Sequence, residues 1–315
     1  MYEINVELSL NLTFVKLIPM KNIKVLCSLI LLAIGIPAVA QQDALLWKVS
    51  FEGQADSYLF GTYHLLPGSF AEQINGTKKA LRKSKAVVTE LQTNAETAAG
   101  IMNFMLLESG TLDSLLGKEK FDTLSDAIEI RLGMSAQMFN KMKPMGVYIM
   151  LASANEIKEM RKAGVKGEEP MDMWFQTEAI KNKKNTLALE TAQEQADLLF
   201  NASPLQQQAE MLMQYLRLNQ DETQLENDKI LNCYKAQNLD CLMDYMNKSE
   251  MSAIEKDLML RDRNVRWIPH LKEFMKTQSC FVAVGALHLA GDSGLIELLR
   301  AEGYKVSAVK SNKDL

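Results

Sequence analysis

Two strand-helix-strand patterns, one near each end of the chain, bound what this sequence can fold into. At the start, "LLWKVSFE" and "SYLFGTYH" are rich in aromatic and β-branched residues and are separated by "GQADS", which reads as a hairpin. A helix-period stretch from Ser69 to Lys83 follows, then the buried-strand run "AVVTEL", Ala86 to Leu91. At the end, "FVAVGALHL", "SGLIELLRAEG" and "KVSAV" repeat strand, helix, strand. Alternation of this kind predicts an α/β fold with a mixed central sheet built from the N- and C-terminal strand-helix units. Between them, residues 95–275 carry apolar positions at helical spacing, broken by the short strand "TLALE", Thr186 to Glu190. The expectation is one domain, residues 41–315, with a large helical insertion at about 95–275.

Residues 1–40 read as a leader. Met20 opens "MKNIKVLCSLILLAIGIPAVAQQ", with Lys21 and Lys24 as a basic region, Val25 to Ile36 as an apolar core, and Ala38-Val39-Ala40 as a cleavage site. The true start is then expected at Met20, the mature chain at Gln41, and the protein in the periplasm or secreted. The apolar run is shorter than the roughly 20 residues that span a bilayer, so no stable anchor is expected after cleavage. A formal charge of −4, spread along 315 residues without a basic stripe, argues against nucleic acid as a partner. Export permits disulfides. Cys233 and Cys241 bracket "YKAQNLD", where a local bridge and two free thiols are both compatible with the spacing, whereas Cys280 reads as a buried thiol.

The chain has three histidines, and two stand in the same setting: Gly61-Thr-Tyr-His64 and Gly285-Ala-Leu-His288, each at the end of an apolar strand. One such histidine is ordinary. Two, in the first and last strand-helix units, point to the carboxyl edge of an open sheet, where functional groups emerge from the packed core. "AVVTEL" brings Glu90 to the equivalent place, and "TLALET" repeats the device with Glu190. A carboxylate beside a buried run calls for a cation, a proton or a metal. Imidazole nitrogen and carboxylate oxygen suit a divalent first-row metal, so His64, Glu90 and His288 are the expected ligands, with Glu190 as an additional candidate. Metal-bound water is a nucleophile near neutral pH, and a glutamate can take its proton, which is hydrolase chemistry. The same Glu/His pair could also act without metal, as general base and electrostatic partner.

"LMLRDRNVRWIPHL", Leu258 to Leu271, places Arg263 and Asn264 on a helical pattern before the last strand. They read either as part of a solvated face or as a pair binding a substrate carbonyl or stabilising an oxyanion. His270, without the Gly-x-x setting, reads as a surface or interface residue. Met134, Met138 and Met142 recur at the spacing of one helix face, which suits packing, an apolar ligand or, less well, copper. No H-E-x-x-H, G-x-S-x-G, Walker or dinucleotide loop occurs.

Taken together, "LLWKVSFEGQADSYLFGTYHLLP", "VVTEL", "LALETAQEQADLL", "RDRNVRW" and "FVAVGALHLAGDSGLIELLRAEGYKV" resemble the TraB/GumN family, which includes the pheromone-shutdown proteins, GumN-like bacterial proteins and the Tiki proteases. The resemblance implies a metal-dependent peptidase-like fold supported by Mn²⁺ or Co²⁺, with Zn²⁺ as an alternative. It carries the two Gly-x-x-His motifs to His64 and His288, the catalytic glutamate to Glu90, the Arg-Asn pair to Arg263 and Asn264, and the "LET" motif to Glu190. A peptide or protein substrate is the implied partner. The competing class is a binding protein whose helical layer captures a peptide or apolar ligand without turnover.

Overall fold

The near-continuous apolar runs become the strands Ser57–Thr62, Ala86–Thr89 and Cys280–Gly285, buried at every position but Gly285, as in the interior of a parallel sheet. The computed structural model describes residues 43–162, 169–218, 220–249 and 251–310; the leader, with its cleavage site and the proposed start at Met20, lies outside them. Six strands form one sheet: β1 (Leu46–Ser50), β2 (Ser57–Thr62), β3 (Ala86–Thr89), β4 (Asn185–Ala188), β5 (Cys280–Gly285) and β6 (Lys305–Ala308), in the order β4-β3-β5-β2-β1-β6. β2, β5, β3 and β4 are parallel neighbours, while β1 pairs antiparallel with both β2 and β6. The chain is therefore mixed α/β. The carboxyl ends of four parallel strands converge on one edge of the sheet.

The main helices are α1 (Thr77–Lys83), α2 (Ala95–Phe104), α3 (Lys118–Leu132), α4 (Pro144–Lys162), α5 (Met171–Lys181), α6 (Ala192–Phe200), α7 (Leu205–Arg217), α8 (Gln220–Lys235), α9 (Leu239–Lys248), α10 (Asp262–Thr277) and α11 (Leu295–Ala301). α5 packs on the sheet through Phe175, whose ring lies 5.1 Å from Phe60 and 4.9 Å from Phe281. That aromatic contact is one centre of the main core, which also takes Trp267 and Leu271 of α10 and Leu295 and Leu299 of α11. A second, separate core gathers Leu124 and Ile128 of α3, Val147 and Leu151 of α4, and Leu212 of α7.

Several local expectations are corrected. The helix expected over Ser69 to Lys83 is two pieces, Gly68–Ala71 and α1, because Gly76 turns the chain at φ 88°. Met134, Met138 and Met142 do not share a helix face: α3 ends at Gly133 with φ 67°, Met138 lies on a separate short 3₁₀ turn, and Met142 bridges Leu106. A glycine in the left-handed region ends the helix where periodicity alone would continue it. Cys233 and Cys241 are bonded, and Cys280 is a buried free thiol whose pKa burial pushes up to about 12.

Candidate functional site

At the carboxyl edge of the sheet, strand register does most of the positioning. Thr89 of β3 pairs with Ala188 of β4, and just beyond them the Glu190 N–H donates to the Glu90 carbonyl at 2.9 Å. The two glutamates are thus brought side by side from 100 residues apart in sequence. β2 and β5 end together, with Thr62 opposite Gly285. The glycines of the two Gly-x-x-His motifs allow close approach. A Cβ on Gly61 would come within 3.0 Å of the Ala286 Cα, and one on Gly285 within 3.3 Å of a Glu90 carboxylate oxygen. The Gly285 N–H uses that proximity to donate to Glu90 Oε1 at 2.8 Å.

Arg263 organises the interior of the site. Just before α10 the helix passes through a π turn, Asp257–Arg261, in which the Asp262 N–H reaches back to the Asp257 carbonyl; such turns shift the hydrogen-bonding pattern by one residue. The Met259 carbonyl there accepts from Arg263 Nη1 at 3.3 Å. Nε and Nη2 donate to Glu190 at 2.8 and 2.9 Å, Nη2 also to Glu90 Oε2 at 2.6 Å, and Nη1 to His288 Nε2 at 3.0 Å. All five guanidinium N–H groups are placed. The Arg263 and Glu190 side chains are 6% and 2% exposed. Burial at this depth stands because the charges are paired and fully hydrogen-bonded; removing one partner of such a cluster costs about 3–5 kcal/mol. Trp267 adds an indole N–H to Glu190 Oε1 at 3.0 Å and places its ring 4.8 Å from the guanidinium carbon.

The network fixes the His288 tautomer. Arg263 can only donate, so Nε2 accepts; Nδ1 then carries the hydrogen and donates to Asn264 Oδ1 at 2.7 Å. Asn264 is oriented in turn by giving its amide hydrogens to the carbonyls of His288, at 3.2 Å, and Ser293, at 2.8 Å. Burial pushes the His288 pKa down to about 4, with Glu90 opposing and Arg263 assisting, so the imidazole is neutral at working pH. For Glu90, burial works to raise the pKa. The charge of His288 when protonated, the Arg263 guanidinium and the Gly285 N–H outweigh it and hold the carboxyl below the usual range. Above pH 4 or so, where His288 is neutral, the arginine and the amide carry this effect.

In front of the network lies a cavity of about 290 Å³, lined by Thr62, His64, Glu90, Asp172, Gln176 and Gly285 among others. The Glu90 side chain, 23% exposed, is the point at which the buried cluster meets this space. The structure thus brings Glu90, Glu190, Arg263, Asn264 and His288 into one network. His64 is exposed on the turn after β2 and lines the cavity. His288 lies behind, on a 3₁₀ turn after β5 rather than on the strand itself. Arg263 and Asn264 are buried rather than part of a solvated face, whereas Arg261 and His270 are exposed.

Asp172, Thr62 and Gln176 were not singled out from the sequence. Asp172 sits in the first turn of α5 and accepts a short hydrogen bond from the Thr62 hydroxyl. Burial raises its pKa, and the Glu90 charge adds to the rise, against the opposing Thr62 bond and His64. An acid in a helix's first turn is ordinary, so the sequence holds no signal to separate this one from a capping charge. Gln176, one turn on, clips the loop after β3 by donating to the Leu91 carbonyl at 2.9 Å and accepting from the Thr93 N–H at 2.8 Å.

Comparison with known proteins agrees with the motifs. The chain is 26% identical to metalloprotease TIKI2 of Xenopus tropicalis, over 86% of this chain and 61% of the relative. It is 23% identical to metalloprotease TIKI1 of Danio rerio, over 87% of this chain and 64% of the relative. The chain thus spans about three-fifths of the length of these curated relatives. No solved structure matches it. The TraB/PrgY/gumN family model matches residues 45–308, from β1 to the end of the last strand, and the chain belongs to that family.

Proposed function

We propose that the chain is an exported hydrolase of peptide or similar amide bonds, and that Glu90 receives the proton of the attacking water in the cavity at the carboxyl edge of the sheet. The carrying observation is the state of Glu90: ionised, held from behind by Arg263 and Gly285, and open to the cavity on its remaining side. Each carboxylate oxygen has two acceptor directions, so both hydrogen bonds leave a lone pair for a water. Glu190, Arg263, Asn264 and His288 act through Glu90 as positioning residues. The relatives named metalloproteases support the reaction class. Export rests on the leader sequence; among the described residues no helix is long and apolar enough to cross a membrane.

The relatives' name calls for a metal, and the donor set can be tested for one. Of the expected ligands His64, Glu90 and His288, only His64 and Glu90 line the cavity, and His288 does not fit the set as placed. The free lone pair of His288, on Nε2, already accepts from a cationic guanidinium. Among the described residues no three His, Cys, Asp or Glu side chains are grouped so that they could hold an ion. The proton transfers are therefore assigned to the chain's own groups.

A screen against a fluorogenic peptide library, run with added Mn²⁺, Co²⁺ or Zn²⁺ and separately with a chelator, tests the reading. Glu90→Gln keeps the volume and one of the two accepted hydrogen bonds but removes the charge. Turnover is expected to fall about 10²- to 10⁴-fold, with a melting curve that still reports a folded chain. A folded Glu90→Gln variant with wild-type turnover would end this assignment. Saturable peptide binding without any cleavage would favour the binding-protein class instead.

A further inference from the structure

We propose that Gln195 is a substrate-binding residue of this cavity, whose carboxamide pairs with the main chain of an extended peptide and holds it in the cavity with Glu90. The inference rests on the hydrolase reading and names what the cavity recognises: the backbone of a peptide.

The placement of Gln195 follows from the strand ends. The Glu190 N–H ties the end of β4 to the Glu90 carbonyl, Thr191 caps α6 directly afterwards, and Gln195 comes one turn into that helix, on the cavity lining. α5 brings a second carboxamide, Gln176, to the same cavity. The two differ in what they bind. Gln176 is buried and fully engaged with the loop after β3, donating to the Leu91 carbonyl and accepting from the Thr93 N–H. Gln195 is half-buried, and among the described residues its carboxamide has no hydrogen bond. Its own helix offers none. The side chains three and four positions away are Ala192, Leu198 and Leu199, and the Thr191 hydroxyl is held by Glu194. The neighbouring Gln193, by contrast, donates to Asp197 at 2.8 Å. The other polar side chains of the lining all have partners. Gln195 therefore carries the uncommitted amide of this cavity.

A carboxamide places an acceptor and a two-hydrogen donor on neighbouring atoms. In an extended chain the N–H and C=O of one residue point to the same side, which is how paired strands exchange both bonds of a hydrogen-bonded pair. The Gln195 side chain can stand in for one rung of such a ladder, Oε1 accepting the N–H and Nε2 donating to the C=O of a single substrate residue. The shape and lining of the cavity favour this mode. At about 290 Å³ it is at the small end of ligand sites, which run to about 1,000 Å³. Leu91 is the one large apolar residue among those described in its lining. With no apolar pocket to read a substrate side chain, the backbone is the feature left to recognise.

A substitution cycle on the full chain decides the matter, with a peptide cleaved in the screen as probe. Each amide flanking the scissile bond is replaced in turn by an ester, which removes one N–H and leaves the scissile bond intact. In the wild type, one of these replacements is expected to lower kcat/KM about 2- to 10-fold, the worth of one neutral hydrogen bond, mainly through KM. Gln195→Met keeps the length of the side chain and removes the amide. It is expected to lower kcat/KM for the all-amide peptide about 5- to 100-fold, for two such bonds, and to abolish the sensitivity to that ester. Gln195→Ala is expected to behave alike. The melting midpoint of both variants is expected to match the wild type, because no hydrogen bond within the chain is lost. Losses from ester and variant that simply add at every position, or wild-type kcat/KM in both variants, would overturn the assignment. Should neither variant fold, a wild type indifferent to every ester replacement would do the same. A chain that cleaves no member of the library removes the hydrolase reading and this inference with it, whereas cleavage without coupling to Gln195 removes the inference alone.

Discussion

His288 is a neutral imidazole because its place in the network leaves no room for a second proton: Nε2 accepts from Arg263, and Nδ1 already donates to Asn264. Its pKa of about 4 lies below the value of roughly 6.5 in an unfolded chain. Below that unfolded value the unfolded state binds a proton that the folded state refuses, so stability is present above it and is lost as pH falls towards the folded value. Between pH 6.5 and 5 the loss from this residue is expected to be about 2 kcal/mol. Urea unfolding at several pH values, compared between the wild type and His288→Gln, isolates it from the carboxylates that titrate in both chains. Parallel stability profiles for the two proteins would show that His288 is not held neutral. At this scale the sequence was informative wherever a polar residue followed an apolar strand. Glu90, Glu190 and His288 stood out by that contrast, while Asp172 did not, because an acid at a helix start carries none.

At the scale of elements, the Gly-x-x-His motifs are legible as strand ends, but the role of each glycine is a matter of contact. Gly61 of β2 faces the 3₁₀ turn that carries His288, and a Cβ there would meet the Ala286 Cα at 3.0 Å and its Cβ at 3.1 Å. Backbone cannot yield as a flexible side chain can. Gly61→Ala is expected to cost about 1–3 kcal/mol, the usual penalty of overpacking, and to lower turnover by moving β5 and its Gly285 N–H away from Glu90. Denaturant midpoints and the peptide assay read the two effects, and an unchanged midpoint would mean that the turn moves freely against the strand. The short α6 shows local chemistry that sequence does report. Thr191 and Glu194 form a reciprocal cap directly after Glu190, with the Glu194 carboxylate accepting the Thr191 N–H at 2.8 Å, so the helix begins where "ETAQE" says it should. The methionine spacing misled for the opposite reason, since a periodicity cannot show that Gly133 has already turned the chain.

Across the whole molecule, two hydrophobic cores divide the work. The main core fixes the sheet and the site, while the second holds α3, α4 and α7 together. Leu124, fully buried in the second core, reports on their independence. Leu124→Ala is expected to cost about 2–5 kcal/mol and to speed amide exchange in α3 and α7, while the amides of β5 stay protected as in the wild type. Equal acceleration in β5 would show that the two cores open as one unit. By itself the sequence determined the α/β class and the main strands and singled out Glu90, Glu190 and His288 as polar residues beside apolar runs, because these are local patterns with local causes. Only the tertiary structure decided what those residues do to one another. Register alone sets Glu90 beside Glu190 and Thr62 beside Gly285. A guanidinium on a distant helix donates to the His288 ring, and an aspartate from α5 lines the cavity. Hydrogen bonds between strands and helices far apart in the chain have no signature in residue spacing.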